Sequence, residues 1–542
     1  MEVEIDQVEL ARLTDEVARR RTFAIISHPD AGKTTLTEKL LLYGGAVETA
    51  GAVRAGKNQR HATSDWIELE QERGISISSS ALEIEYRGFR INILDTPGHQ
   101  DFSEDTYRTL MVADSAIMVL DSAKGIEAQT QKLFQVCRMR GIPILTFINK
   151  LDHFGRDPLE LMDEIERVLG IATAPMNWPI GMGPTFQGVF DLQRCRILQF
   201  ERTERGQWRA PVAVSGLNDP SLPGRLGEVL CHELREHIEL ISEAGNTFDR
   251  RRFLAGELTP VFFGSALNNF GVEPFLDALL ELAPEPGPLE SDGIVLQPTD
   301  ETFTGFVFKI QANMDPRHRD RMAFLRILSG RFEKDMTAFH PRLGRDVRLT
   351  RAYRIFARER EPIQEAFPGD IIGVINPGIF MIGDIITTGE PVVSVDIPRF
   401  PPEHFAVLIN QEIGRHKQFH KGLAQLQEEG AVQVMYAEGG ARREPILAAV
   451  GALQFDVVLA RLRQEYSVEA YVERLPFTCA RWIKTTSAAR DGLTLGSGAL
   501  QCRDQSGDSV VLFASDWHLE YFQRENPHIT IVKVGSPWMT KN

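Results

Sequence analysis

Ser27-His28-Pro29-Asp30-Ala31-Gly32-Lys33-Thr34-Thr35 is the stretch that decides the fold. It follows the apolar run Phe23-Ala24-Ile25-Ile26 and precedes a helical pattern from Thr35 to Leu42. A strand, a small-residue loop and a helix in that order turn successive backbone N–H groups toward one point, where phosphate oxygens bind. Gly32 allows close backbone approach. Lys33 is placed to bridge the β- and γ-phosphates, and the Thr34 hydroxyl to ligate Mg²⁺. Ser27 stands where such loops usually carry their first glycine, and it can serve there if its backbone angles are ordinary.

Four more motifs follow at matching places. Asp95-Thr96-Pro97-Gly98-His99 comes after Ile91-Asn92-Ile93-Leu94. Asp95 at a strand end can hold Mg²⁺ through a water, and the Gly98 N–H can bond the γ-phosphate. His99 falls where an attacking water sits, to orient it or to take its proton. Asn149-Lys150-Leu151-Asp152 follows Ile144-Leu145-Thr146-Phe147-Ile148. Asp152 can accept from guanine N1–H and the 2-amino group, a pair that adenine does not offer. Gly264-Ser265-Ala266-Leu267 follows Val261-Phe262-Phe263 and supplies backbone to guanine O6. Glu72-Arg73-Gly74-Ile75-Ser76-Ile77 lies where a switch segment belongs, with Ser76 closing the Mg²⁺ shell. All these loops leave the carboxyl ends of strands, where such sheets bind ligands. The reading is a site for GTP/GDP and Mg²⁺ with GTPase activity. No arginine in the switch is an evident finger, so intrinsic hydrolysis should be slow and an outside activator needed.

The rest of the chain sets this motif in a larger plan. The 542 residues allow several domains, and 43% hydrophobic with 25% charged residues excludes wholesale disorder and fibres. The net charge of −15 excludes a general nucleic-acid coat. Five scattered cysteines without CxxC argue against zinc or disulfides. No apolar run reaches the ~18 residues of a spanning helix, and a cytoplasmic protein is expected. The spacing predicts an α/β P-loop GTPase domain with a mostly parallel sheet over 1–288, interrupted by an insertion at about 174–256. A Pro-rich linker, Ala283 to Leu289, leads to a β-barrel domain over 295–395 and an α+β domain over 400–542. The N-terminal segment reads as a short surface helix, and Gln411 to Glu429 as a helix.

The sequence resembles the translational GTPases. The resemblance rests on RTFAIISHPDAGKTTLTEKLLLYGGAV, DWIELEQERGISI, LDTPGHQDFSEDTYRTLMVADSAIMVLDSAKGIEAQT and ILTFINKLD, and extends from about Arg21 to the C-terminal part. SHPDAGKT, and RGISI with serine for the commoner threonine, look like the bacterial class II release factors. Elongation factor G would need two further C-terminal domains, and elongation factor Tu would be shorter. The resemblance implies a three-domain factor of termination, activated by the ribosome, that promotes dissociation of class I release factors after peptide release. It also implies that Pro29 and Ile75 form an apolar gate near His99, core packing being the other reading of Ile75. Asp30 then contacts a monovalent cation, or merely stabilises its turn.

The expected partners are the ribosome and class I release factors, with guanosine tetraphosphate as a further candidate ligand and a monomeric chain. Arg317 to Arg360 holds twelve arginines, a patch for rRNA phosphates or an ordinary charged surface. Arg415, His416, Lys417, His420 and Lys421 form a second cluster, with Arg442 and Arg443 nearby. Two alternatives stay open: another translational GTPase lacking the translocation domains, and a guanine-nucleotide-sensing binding protein.

Overall fold

The computed structural model describes residues 2–45, 76–199, 212–214, 216–291, 294–312, 320–356, 359–389, 397, 400–438, 444–484 and 493–533. The apolar runs around the motifs become β1 (Arg20–Ser27), β2 (Ser80–Tyr86), β3 (Phe89–Asp95), β4 (Ser115–Asp121), β5 (Ile144–Asn149) and β6 (Ala172–Pro175). After an insertion with β7 (Asn177–Ile180), β8 (Gly188–Asp191), β9 (Arg196–Gln199) and β10 (Val212–Val214), β11 (Leu258–Phe263) completes the sheet. Its order is β2-β3-β1-β4-β5-β11-β6. Neighbours pair in parallel except β2 with β3, which is antiparallel and makes one edge.

β1, β4, β5 and β11 are buried along their whole length, because helices cover both sheet faces. Phe23 and Ile25 pack with Leu36 and Leu40 of α2 (Lys33–Tyr43) and with Phe275 of the helix Val272–Leu282. Ala24 and Ile26 join the opposite core, with Leu133 and Phe134 of Ala128–Met139 and Ile165 of Pro158–Leu169. The expected α/β fold is therefore present. Ala174 still lies in β6, so the departure from the sheet begins at β7. There Asn177 donates to Phe263 O (3.1 Å) and accepts from its N–H (2.7 Å). Trp178 packs edge-on against Phe263 and donates to His237 Nδ1 at 3.2 Å. The insertion thus braces the end of β11, just before Ser265.

A hairpin of β12 (Leu289–Ser291) and β13 (Ile294–Leu296) leads into an eight-stranded antiparallel sheet containing β14 (Thr304–Ala312) and β15 (Arg321–Ser329). Alternation splits β14 between two cores. Val307 and Ile310 face the barrel interior with Leu325 and Phe332, while Phe306 and Phe308 join the core of the GTPase unit. Buried ion pairs cross the same interface. Arg20 meets Asp370 through Nε at 2.7 Å, and Arg326 forks onto both oxygens of Asp114 at 2.8 Å. Breaking such a pair from one side strands a charge, which costs about 3–5 kcal/mol.

Much of the arginine-rich run is engaged by carboxylates. Arg321, Arg326, Arg331, Arg342, Arg348, Arg354 and Arg360 each stand within ion-pair distance of a carboxylate. Arg317, Arg319 and Arg358 lie outside the described residues. Most of the described run holds the molecule together, and only Arg345 and Arg351 show exposed guanidinium groups with no such pair among the described residues. On the second cluster, Arg415 pairs with Glu412 at 3.0 Å, while Lys417 and Lys421 are exposed; Arg442 and Arg443 lie outside the described residues.

The N-terminal helix is longer and more engaged than expected. α1 (Glu2–Ala18) buries Leu13 and Val17 against Phe367 of the barrel unit, with the Arg12 and Arg20 guanidinium groups over the same ring. The C-terminal unit is an eight-stranded antiparallel sheet with the helices His416–Glu428 and Leu453–Tyr466 packed on it. The first of these was expected from Gln411. It starts at His416 because the Asn410 side chain accepts the Glu412 N–H, and one tight turn, Ile413–Arg415, intervenes.

Glu83 on the edge strand β2 is buried against the barrel unit. Its Oε1 lies 3.1 Å from Arg354 Nε without hydrogen-bond alignment, and Arg90, Arg20 and Asp370 surround it. Burial, with the Asp370 charge, pushes its carboxyl from the usual 4.5 up to about 7. A raised folded-state value means that protonation favours the fold. This contribution is complete below about pH 4.5 and lost as pH rises through about 7, on the order of 3 kcal/mol in all. Glu83→Gln should remove that part of the pH dependence, so that denaturation midpoints measured from pH 4.5 to 7.5 fall less steeply than in the parent.

Candidate nucleotide-binding site

Four of the loops meet at the carboxyl edge of the sheet because β1, β3, β5 and β11 all run the same way. The Ser27 loop turns through left-handed backbone at Asp30 (φ 68°) and Gly32 (φ 94°). Ser27 itself keeps a negative φ, which answers the question its substitution raised. Its hydroxyl is buried with no hydrogen-bond partner among the described residues. A second demand falls on Gly32: a Cβ there would lie 2.2 Å from Asn149 Nδ2. Gly32 is also the N-cap of α2, which has no side-chain cap and no acid in its first turn. Its leading N–H groups, at the start of the turn carrying Thr34 and Thr35, point into the loop as a site for anions.

Lys33 and Asp95 are joined. Lys33 Nζ lies 2.5 Å from Asp95 Oδ1, both groups being nearly fully buried. The same Oδ1 is 3.4 Å from Thr37 Oγ1, and Lys33 Nζ is 3.5 Å from Ser76 Oγ. Lysine, carboxylate and two hydroxyls therefore converge, Thr37 being a member that motif reading passed over. Thr96 and Pro97 hold the backbone. Thr96 Oγ1 donates to Ile25 O at 2.7 Å, and Pro97 O accepts from Thr106 Oγ1 at 3.2 Å. Gly98 packs on Pro29, with room for a Cβ only 3.4 Å from the Pro29 nitrogen. The Glu72-to-Ile75 part of the switch, with the gate position Ile75, lies outside the described residues. Just past Ser76 the chain is pinned: the Ser79 N–H donates to Asp105 Oδ2 at 2.6 Å, and Lys309 Nζ donates to Ser78 Oγ at 2.7 Å. Asp105 stays below its usual range despite burial, because Lys309, Arg108 and the Ser79 N–H favour its charge.

His99 is about one-third exposed, and its Nδ1 is 3.2 Å from Asp101 Oδ1. His28, on the other side, pairs through Nε2 with Glu127 at 3.1 Å. No motif marked Glu127, because it comes from the loop before another helix.

On the base side, Asn149 is a staple. Its amide donates to Ala31 O at 2.9 Å and accepts the Ala266 N–H at 2.8 Å. Lys150, at φ 68°, reaches Asp30 O at 2.5 Å and Asp121 Oδ2 at 2.9 Å. Burial alone would raise Asp121, but the Lys150 ammonium and the Ala123 N–H hold it below the usual range. Asp152 Oδ1 accepts from Ser265 Oγ at 2.6 Å. Leu151, within the same motif, contributes no side chain to the rim. It is fully buried in the core, so only its backbone can face the site, whereas Leu267 is exposed at the rim. Asn149→Ala should leave the Ala266 N–H and Ala31 carbonyl buried and unpaired, at about 1–3 kcal/mol each. A lowered thermal midpoint measured on the full chain checks this.

Comparison with known proteins agrees with this geometry. The sequence model described as the elongation factor Tu GTP binding domain matches residues 18–285. That of elongation factor G domain 2 matches 302–389, and that of the class II release factor RF3 C-terminal domain matches 395–523. Peptide chain release factor 3 of Gloeobacter violaceus is 58% identical over 96% of this chain and 99% of its own length. That of Acaryochloris marina is 54% identical over 98% and 97%. A crystal structure of a Thermus thermophilus protein shares the fold at 24% identity and a TM-score of 0.69, covering 90% of this chain and 72% of that one. By its motifs, its three matched segments and this near-complete identity of plan, the chain belongs to the peptide chain release factor 3 family.

Proposed function

We propose that this chain is a ribosome-activated GTPase that promotes departure of class I release factors after peptide release and then leaves the ribosome on hydrolysis. That it is a translational GTPase acting in termination follows from its family. The residue roles are our reading, and the observation that carries them is the buried Lys33–Asp95 pair at the base of the Ser27 loop. Its two partners are the groups that a nucleoside triphosphate and its metal each need.

The backbone from His28 to Lys33, with the uncapped start of α2, holds the phosphates, and Lys33 passes from Asp95 to the phosphate oxygens. Thr34, Ser76 and, through water, Asp95 would hold Mg²⁺. These are hard oxygen donors with a single carboxylate, which suits a metal that keeps waters and phosphate oxygens in its shell. When bound, the ion neutralises charge on the phosphates. Asp152, oriented by Ser265, accepts the guanine edge, while Ala266 and Leu267 offer backbone beside it and Asn149 and Lys150 hold the two loops together. His99 orients the attacking water from the Pro97-Gly98 turn. Work divides over three units, 1–288, 295–395 and 400–542. Lys417 and Lys421 offer an exposed basic face to the ribosome. The chain works as a cytoplasmic monomer, and guanosine tetraphosphate competes for the site through its guanosine diphosphate core.

Two measurements test this reading. Asp152→Asn turns one acceptor into a donor. It should weaken GTP by about 10²-fold or more and shift preference to xanthosine triphosphate; unchanged base preference refutes the assignment. Turnover should be slow alone and rise with ribosomes carrying a class I factor, together with that factor's dissociation. His99→Ala should lower the stimulated rate by about 10²-fold or more with GTP affinity kept.

A further inference from the structure

We infer that Asp101 is a positioning residue that ties the orientation of His99 to the seating of the C-terminal unit on the GTPase unit. The inference rests on the reading of His99 given above and deepens it.

Asp101 is 7% exposed and uses both oxygens. Oδ1 lies 3.2 Å from His99 Nδ1. Oδ2 accepts the Leu453 N–H at 2.7 Å. Leu453 is the first residue of the helix Leu453–Tyr466, whose N-cap, Ala452, has no side-chain cap. Asp101 therefore caps that helix from another part of the chain, and a carboxylate is the group that the positive end of a helix favours. The fit has no slack, since a Cβ at Gly451 would lie 2.0 Å from Asp101 Cγ. Phe102, next in sequence, packs with Ile77 at the end of the switch segment and with Val457 and Leu453 of the same helix. The loop that carries His99 is thus built onto the C-terminal unit by one carboxylate and one apolar cluster.

The consequence lies in the imidazole. His99 Nδ1 accepts the Asp101 backbone N–H at 3.3 Å, and the Asp101 carboxylate stands 3.2 Å away without hydrogen-bond alignment, as the competing partner. A neutral ring satisfies one of them at a time. Nδ1 either donates to the carboxylate or accepts from the amide, and the proton on the other nitrogen follows. With Asp101 anchored by Leu453, Nδ1 accepts the Asp101 N–H, so the ring proton sits on Nε2, where it can donate to the oxygen of a water. With the helix withdrawn, the carboxylate loses its second anchor and is free to turn onto Nδ1. The proton then sits on Nδ1, and Nε2 can no longer donate to the water. Seating of the C-terminal unit thereby sets which face of His99 meets the water.

The test compares Asp101→Ala, Asp101→Asn, Gly451→Ala and His99→Ala in the full chain. It measures ribosome-stimulated kcat, KM for ribosomes, GTP affinity and thermal midpoint. Asp101→Ala removes the anchor on Leu453, and should lower kcat by at least about tenfold, with KM and GTP affinity within about threefold. An asparagine keeps one oxygen for Leu453 and turns its NH₂ toward Nδ1, which preserves the seated tautomer, so Asp101→Asn should hold kcat within about threefold of the parent. Gly451→Ala displaces Asp101 without touching a nucleotide loop, and should show the same selective loss of kcat as Asp101→Ala. It decides the matter if Asp101→Ala melts early. Asp101→Ala and Gly451→Ala both retaining the parent's kcat while His99→Ala is inactive overturns the inference and leaves the role of His99 standing. A rise in KM alone overturns it too, because Asp101 would then serve only docking. Full turnover in His99→Ala overturns both.

Discussion

One side-chain amide holds the nucleotide edge together. Asn149 bonds Ala31 O in the phosphate loop and the Ala266 N–H in the guanine loop, and leaves no space for a side chain at Gly32. Those two loops lie 118 residues before Asn149 and 117 after it, and one rigid planar group sets their separation. Lys150 repeats the linkage from the same strand end, through Asp30 O and Asp121. Rigidity here matters because base selection depends on paired groups staying where the correct base finds them.

The opposite side of the site is made of parts that other units hold. Ser78 and Ser79 are bonded to Lys309 of the barrel unit and to Asp105, and Phe102 packs on the C-terminal helix. The phosphate end of the pocket therefore senses how the three units sit, while the base end does not. Further buried pairs reinforce the junction. Arg461 lies between Glu429 and Glu465, and Glu429 also accepts the Ala312 N–H at 3.0 Å. Such pairs add little net stability compared with apolar packing, yet a mismatched arrangement leaves charges stranded. They specify one way for the units to fit. This is one way a chain of net charge −15 carries an arginine-dense barrel: Arg321, Arg326 and Arg354 answer carboxylates of the neighbouring units, while Arg342, Arg348 and Arg360 pair within the barrel.

Local sequence determined the strands, the phosphate loop, the order of the five motifs and the family. Each of these depends on residues adjacent in the chain: an apolar run buried on both faces, a glycine at a positive φ, a carboxylate at a strand end. Boundaries were less legible where a turn hides in a helical pattern, as at Ile413–Arg415 before His416. Partnerships were not legible at all. Nothing near Asp101 in sequence announces Leu453, and nothing near Arg326 announces Asp114. Tertiary structure alone decided that α1 straps the barrel unit, that most of the described arginine run is internal glue, and that His99 leans on a residue gripped by the C-terminal helix. The physical reason is that a hydrogen bond or ion pair depends on distance in space, and the strand directions and unit packing that create those distances are properties of the whole chain.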